Sequence, residues 1–311
     1  LTGIYIQNMF VRQTEKMLKE NPDTDFMILH FDIYQFQVYN SVFGRREGDK
    51  LLCHIADLLR RMAEHVEHMT YCRIEADAFG ICVPASVGEE IQKVVEYFQK
   101  DFQEYQRDYN ILSNMGVFYI EDREASIPVM IDHARLASKE CKGNYIYNYY
   151  IYTEKMGDDI REAQKIVNDM EQAMKEEQFV LYLQPKYGLA DYKLAGAEVL
   201  TRWITPDKGM VSPGKFIPVF EKNGLIMKLD FYIWEQSCKL IRSWLDRGIE
   251  PFPISINISR VSMYNPRIVE EIHELTVKYD IPPKLFQLEL TESAYTDNPE
   301  TIKKAMHDLQ E

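Results

Sequence analysis

Glu198, Asn257 and Glu289 each fall at or near the C-terminal part of a segment patterned as a strand: LAGAEVLTRW, PISINIS and FQLELTE. In repeated strand and helix folds, that end of the strands is where reactive groups gather. Hard oxygen donors converging on a rigid scaffold suit Mg or Mn, which activate water and screen the charge of a phosphate. Taken singly, each glutamate reads equally well as a solvated surface carboxylate. Arg202 follows Glu198 by four residues, and its planar, permanently charged fork fits phosphate oxygens better than a lysine would. Gln184, next to Pro185, offers amide groups to a ligand or simply caps a strand end.

In the first half, Asp32 closes the apolar run FMILHFD, and Asp77 sits in EADA, which bridges MTYCRI and FGICVP in a hairpin pattern. Asn40 reads as a turn cap and Asp49 as the opening of a helix, positions these residue types commonly fill. Five scattered cysteines contain no CxxC pair, which leaves no zinc site or redox dithiol and indicates a reducing compartment. The seven histidines are equally scattered, and His65 and His68 read as solvated. A formal charge of −13 excludes general binding to nucleic-acid backbones.

The elements that must position these groups fall into two sets, as expected for 311 residues. The first runs as a helix (Tyr5 to about Lys19), the FMILHFD strand, a helix from Gly48 to Ala63, the hairpin, and a charged helix from Val87 to Tyr105. A strand from Asn114 to Ile120, a helix from Ile127 to Lys139 and a Tyr-rich strand from Tyr145 to Tyr152 complete it. This is an α/β sheet domain covered by helices over residues 1–153. Residues 154–178 are charged, free of proline and helical in spacing, and read as a solvated connector. Residues 179–311 repeat strands and helices as the first part of a (β/α) TIM-like barrel, with about half the strands needed for closure. No apolar run is long enough to span a membrane, and no signal peptide opens the chain, so a cytoplasmic location is expected. The start at LTGIY and the stop at HDLQE inside a helical pattern suggest a piece of a longer protein.

The second half resembles the EAL family, phosphodiesterases that cleave cyclic di-GMP. The matching blocks, in the family's order, are YLQP (182–185), EVLTRW (198–203), FIPVFEKNGLI (216–226), INIS (256–259) and LELTES (288–293). The resemblance implies that Glu198, Asn257 and Glu289 hold one Mg or Mn, with Glu198 catalytic as well as a ligand. It implies that Glu292 supports the site and a moving loop, that Arg202 binds substrate phosphate, and that Gln184 meets guanine or ribose. The family's remaining metal carboxylates, its lysine near the attacking water and a further glutamate come from later strands. Without them the 311 residues are expected to lack turnover, the full-length parent opening cyclic di-GMP to pGpG.

Residues 1–153 resemble the GGDEF family, diguanylate cyclases that condense two GTP. LTGIYIQNMF, FDIYQFQVYNSVFGRREGDKLL and KECKGN follow family segments. RIEADAF stands where the family has Arg-x-Gly-Gly-Asp-Glu-Phe. Asp32 and Asp77 would hold metal, Asn40 and Asp49 would read guanine, and Lys139 would contact phosphate. Ala78, however, cannot ligate metal or accept a proton, and Glu75 and Ala76 replace two glycines. Glycine serves where backbone turns with positive φ or approaches a phosphate closely, and Glu75 adds bulk and negative charge. Tyr34, Gln37, Arg45 and Gly143 also depart from the usual residues, and Val66 and Met69 replace the Arg and Asp of the family's product-inhibition motif. Cyclisation is expected to be lost, with GTP retained as a candidate ligand. The resemblance thus implies a bacterial cyclic di-GMP signalling protein with a degenerate regulatory GGDEF domain. The alternative is a receptor or scaffold that binds cyclic di-GMP, GTP or a protein without turnover. Homodimerisation through either domain or the connector is a further expectation.

Overall fold

The computed structural model describes residues 1–141, 149–290 and 299–310, and divides into two compact units, 1–160 and 161–311. In the first, β1 (Tyr5–Ile6) leads into α1 (Gln7–Glu20), β2 (Phe26–Ile33), α2 (Phe36–Phe43) and α3 (Arg45–Ala63). The hairpin β3 (Thr70–Glu75) and β4 (Ala78–Pro84) is followed by α4 (Ile91–Tyr105), β5 (Ser113–Tyr119), α5 (Ile127–Glu140) and β6 (Tyr149–Ile151). The strands form a six-stranded sheet in the order β1-β3-β4-β2-β5-β6, with β2 antiparallel to both β4 and β5.

The nearly continuous apolar run of β2 is explained by helices on both faces. Met27, Leu29, Phe31 and Ile33 pack with α3 and α4, whereas Phe26 and Ile28 pack with α1 and α5. Gly116 on β5 lets α5 come close, because a Cβ there would lie 1.8 Å from the Ala134 carbonyl oxygen. Several boundaries differ from the sequence pattern: Tyr5 and Ile6 form β1 rather than opening a helix, and Phe36–Phe43 forms a helix where none is expected. α3 starts at Arg45, three residues early, after Gly44 at φ +87°, and the charged helix begins as a 3-10 turn (Ala85–Glu90). Residues 142–148, which hold Gly143 and the start of the Tyr-rich run, lie outside the described residues.

In the connecting segment, α6 (Glu154–Lys175) buries Ile166, Met170 and Ala173 in the core of the second unit. It is therefore part of that core over its second half, where apolar side chains recur at helical spacing. The second unit continues with β7 (Phe179–Tyr187), β8 (Leu194–Thr205), β9 (Gly209–Val211), α7 (Pro213–Lys222) and α8 (Ile226–Asp246). It then carries β10 (Ile254–Ile258), α9 (Arg260–Met263), α10 (Ile268–Lys278), β11 (Phe286–Leu290) and α11 (Pro299–Gln310). The sheet order is β11-β10-β8-β7, with β9 beside β8; β8, β10 and β11 are parallel, and β7 is antiparallel to β8. Right-handed crossovers through helices are the standard way to join parallel neighbours, and here α7 with α8, then α9 with α10, link them. Among the described residues this sheet is open rather than a closed barrel.

Its two faces differ. Phe179, Ala197, Val199, Trp203, Ile254, Ile256 and Ile258 join helix residues such as Phe216, Trp234 and Ile272 in one core. Side chains of opposite parity (Gln184, Lys186, Glu198, Arg202, Ser255, Asn257 and Glu289) populate the other face, by the period of two along each strand.

Candidate functional site

The register places the polar face's residues in rows. Gln184 stands opposite Glu198, Glu198 opposite Ser255, and Asn257 opposite Glu289. Asn257 Nδ2 donates to Glu198 Oε1 at 3.0 Å. Lys186 Nζ donates to Ser255 Oγ at 2.6 Å and to the Glu289 carboxylate. Lys186 on β7 is three strand spacings from β11, roughly 14 Å across a flat sheet at about 4.8 Å per strand. Side chains stand roughly perpendicular to a sheet rather than along it, so a Lys186–Glu289 contact over that gap points to a sheet curled around its polar face, the direction in which a barrel closes. Burial opposes ionisation of Glu289, but the hydrogen bonds from Lys186 and Ser255 and the Lys186 charge outweigh it and hold the carboxyl below its ordinary range.

The three expected ligands are thus brought onto neighbouring strands of one face. Their hard oxygen donors have the chemistry Mg or Mn selects. Among the described residues no three His, Cys, Asp or Glu side chains cluster as a metal site; on this face the expected donors are the carboxylates of Glu198 and Glu289 and the amide of Asn257. Arg202 is half-buried, donates to the Thr201 carbonyl at 3.0 Å and lies over the Tyr182 ring at 5.6 Å from its centroid. Gln184 is exposed on the same face, and Glu292 lies outside the described residues.

Helix α8 fixes the end of β10. Asp230 is buried, and its Oδ2 accepts from the Ser259 backbone N–H at 3.0 Å and the Ser262 hydroxyl at 2.7 Å. Trp234, one turn on, donates Nε1–H to the Asn257 carbonyl at 3.4 Å. Burial raises the Asp230 pKa, and the serine hydrogen bonds partly oppose it. Sequence reading missed Asp230, Trp234, Lys186 and Ser255. Strand parity points to the last two, at two residues from Gln184 and from Asn257 respectively.

In the first unit, Asp32, Glu75, Ala76, Asp77, Ala78, Asn114, Arg135 and Lys139 line a cavity of about 550 Å³. Asn114 donates to Asp32 Oδ1 at 2.7 Å, as their register pairing on β5 and β2 permits. Asp77 Oδ2 accepts from the Ile33 N–H at 3.2 Å. Arg135 lies 3.9 Å from Glu75. Ala76 holds φ +40°, a left-handed conformation that favours glycine, and Arg73 grips its carbonyl at 2.7 Å through Nε. The strand turn therefore keeps the glycine geometry without the glycine.

Asn40 and Asp49 do not line that cavity. Asn40 lies in the last turn of α2, with its side chain against Gly48, where a Cβ would meet its Oδ1 at 1.9 Å. Asp49 sits exposed inside α3 and borders a separate hollow with Arg46, Lys50 and His54. Asn40 thus lies within α2 rather than capping a turn, and Asp49 stands four residues past the start of α3 rather than opening it. All five cysteines are free thiols, and burial pushes those of Cys72 and Cys238 up to about 12, which makes them inert packing groups. No helix among the described residues is long and apolar enough to cross a membrane.

Two family models match the sequence: the diguanylate cyclase GGDEF domain over residues 1–145 and the EAL domain over residues 167–311. The chain is a GGDEF domain followed by an EAL domain. This GGDEF–EAL tandem is 27% identical over 276 residues to the bifunctional diguanylate cyclase/cyclic di-GMP phosphodiesterase MucR of Pseudomonas aeruginosa, covering 87% of the chain and 40% of the relative. It is 29% identical over 296 residues to the signaling protein YkoW of Bacillus subtilis, covering 92% of the chain and 36% of the relative. A solved PaMucR phosphodiesterase in complex with c-di-GMP is 29% identical, with a TM-score of 0.44, covering 47% of this chain and 59% of that one. The tandem thus spans about two fifths of the length of the curated relatives it matches.

Proposed function

We propose that the tandem works in cyclic di-GMP signalling in the cytoplasm, with a GGDEF domain that regulates without cyclising and an EAL domain that binds the cyclic dinucleotide and a divalent metal. The observation that carries this reading is the register of Glu198, Asn257 and Glu289 on adjacent strands of one polar, curled sheet face. Those side chains would hold Mg or Mn, which when bound supplies Lewis-acid activation of water and phosphate. Arg202, on the same face, would take a phosphate oxygen, Gln184 would meet guanine or ribose, and Glu292 would support the site and a moving loop. In the full-length protein this site would open cyclic di-GMP to pGpG.

A second reading, binding without turnover by these 311 residues, is favoured by the donor set itself. Glu198 and Glu289 are the only carboxylates that join this face among the described residues, fewer than a two-metal displacement requires. In the GGDEF domain Ala78 supplies no carboxylate, and Glu75 brings charge to the cavity. Asp32, Asp77 and Lys139 around that cavity support GTP as a regulatory ligand.

Calorimetric titration with cyclic di-GMP and with GTP, each with and without Mg, tests both readings. Cyclic di-GMP binding that is weakened at least tenfold in Arg202→Ala supports the EAL assignment, and Mg-dependent GTP binding lost in Asp32→Ala supports the GGDEF one. Silence of the folded protein toward both ligands overturns the binding assignments.

A further inference from the structure

The ammonium of Lys186 reaches into the row of prospective ligands. It engages Glu289, and it meets Ser255 at 2.6 Å, in the row next to Asn257 and Glu289. Its register partner on β8 is Gly196, which carries no side chain to stand between the lysine stem and β10. The prospective ligands are thereby mutually satisfied: Asn257 donates to Glu198, and Lys186 donates to Glu289. An ammonium and a divalent cation compete for the same carboxylate oxygens, and they also repel each other at close range.

Building on the metal reading of this face, we infer that Lys186 is an internal cation that a divalent metal must displace from Glu289, so that it sets how tightly the EAL site loads. Lysine suits this role because its flexible four-carbon stem can swing the charge away, which a metal ligand fixed by the strand cannot do. The pair is partly exposed, with side-chain accessibilities of 43% and 37%, so its contribution is that of a solvent-screened ion pair. Removing it is expected to tighten metal binding by about two- to fivefold.

Manganese titration of the full 311-residue protein, read from the loss of the free-ion paramagnetic resonance signal, tests this without any activity assay. Lys186→Met and Lys186→Gln are both expected to bind Mn more tightly than wild type, and Lys186→Arg, which keeps the charge, is not. Unchanged or weaker binding in the Met and Gln variants overturns the inference and makes Lys186 a support for Glu289. In that case, wild-type binding abolished by Glu198→Gln leaves the metal reading standing. If neither wild type nor any Lys186 variant binds Mn, the metal reading and this inference both fall. Tryptophan emission of each variant, matched to wild type, confirms that the second domain is folded.

Discussion

Replacing Asp230 by alanine removes the one acceptor that serves both the Ser259 backbone N–H and the Ser262 hydroxyl, at 3.0 and 2.7 Å. Ser262 is buried and Ser259 half-buried, so water replaces the lost acceptor only in part. Hydrogen bonds to a charged acceptor contribute about 1.5–3 kcal/mol each, while removing a buried carboxylate relieves some desolvation cost. The net loss is therefore about 2–4 kcal/mol for Asp230→Ala. Asp230→Asn keeps an acceptor oxygen and should lose about half as much. Urea unfolding followed by tryptophan fluorescence isolates the effect, because the three tryptophans, Trp203, Trp234 and Trp244, all lie in the second domain. With a slope of about 2 kcal/mol per molar urea, the alanine variant should shift the midpoint down by about 1–2 M. The pH dependence supplies a second reading. Because the folded-state pKa of Asp230 is raised, the native state holds the proton more tightly than the unfolded chain. Wild type should then lose stability relative to Asp230→Asn as pH rises from about 4, the ordinary carboxylate value, through the raised folded value. A loss below about 1 kcal/mol in Asp230→Ala, or equal losses in both variants, would refute the clamp argument.

Gly116→Ala should be among the most damaging single-methyl changes in the first domain, since the new Cβ would meet the Ala134 carbonyl oxygen at 1.8 Å and the Ser138 nitrogen at 2.4 Å. Both are backbone atoms, so α5 must move; the expected loss is about 2–4 kcal/mol, seen as lost amide-exchange protection across β2 and β5. Ala76→Gly should raise first-domain stability by about 0.5–1 kcal/mol in thermal unfolding, because relief of the left-handed strain at φ +40° exceeds the entropy cost of glycine; a loss would show that the turn is unstrained. Glu289, whose folded pKa lies below its ordinary value, adds stability that is present above the unfolded pKa and lost as pH falls through the folded one. Glu289→Gln should flatten that part of the acid limb of the tryptophan-detected stability curve, and an unaltered limb would contradict the Lys186 and Ser255 contacts.

The amino-acid sequence determined the elements. Periods of two and 3.6 in the apolar residues are local properties of the chain, so β2, the β3–β4 hairpin, α8 and the strands bearing Glu198, Asn257 and Glu289 were legible from them. The replacement of glycine by Glu75 and Ala76, and of a carboxylate by Ala78, was equally plain, because residue type alone decides what a side chain can ligate. The burial of α6 was visible only as spacing: Ile166 and Met170 lie four apart, and nothing local says which sheet receives them. Tertiary structure alone decided the contacts that cross strands distant in sequence. Asn114 reaches Asp32 through the β2–β5 register, and Lys186 reaches Glu289 over 103 positions because the sheet curls. Asp230 and Trp234 look like ordinary helix residues until α8 packs beneath β10. Strand pairing and helix docking depend on which apolar faces meet, a global minimum over many contacts that no short window of sequence contains.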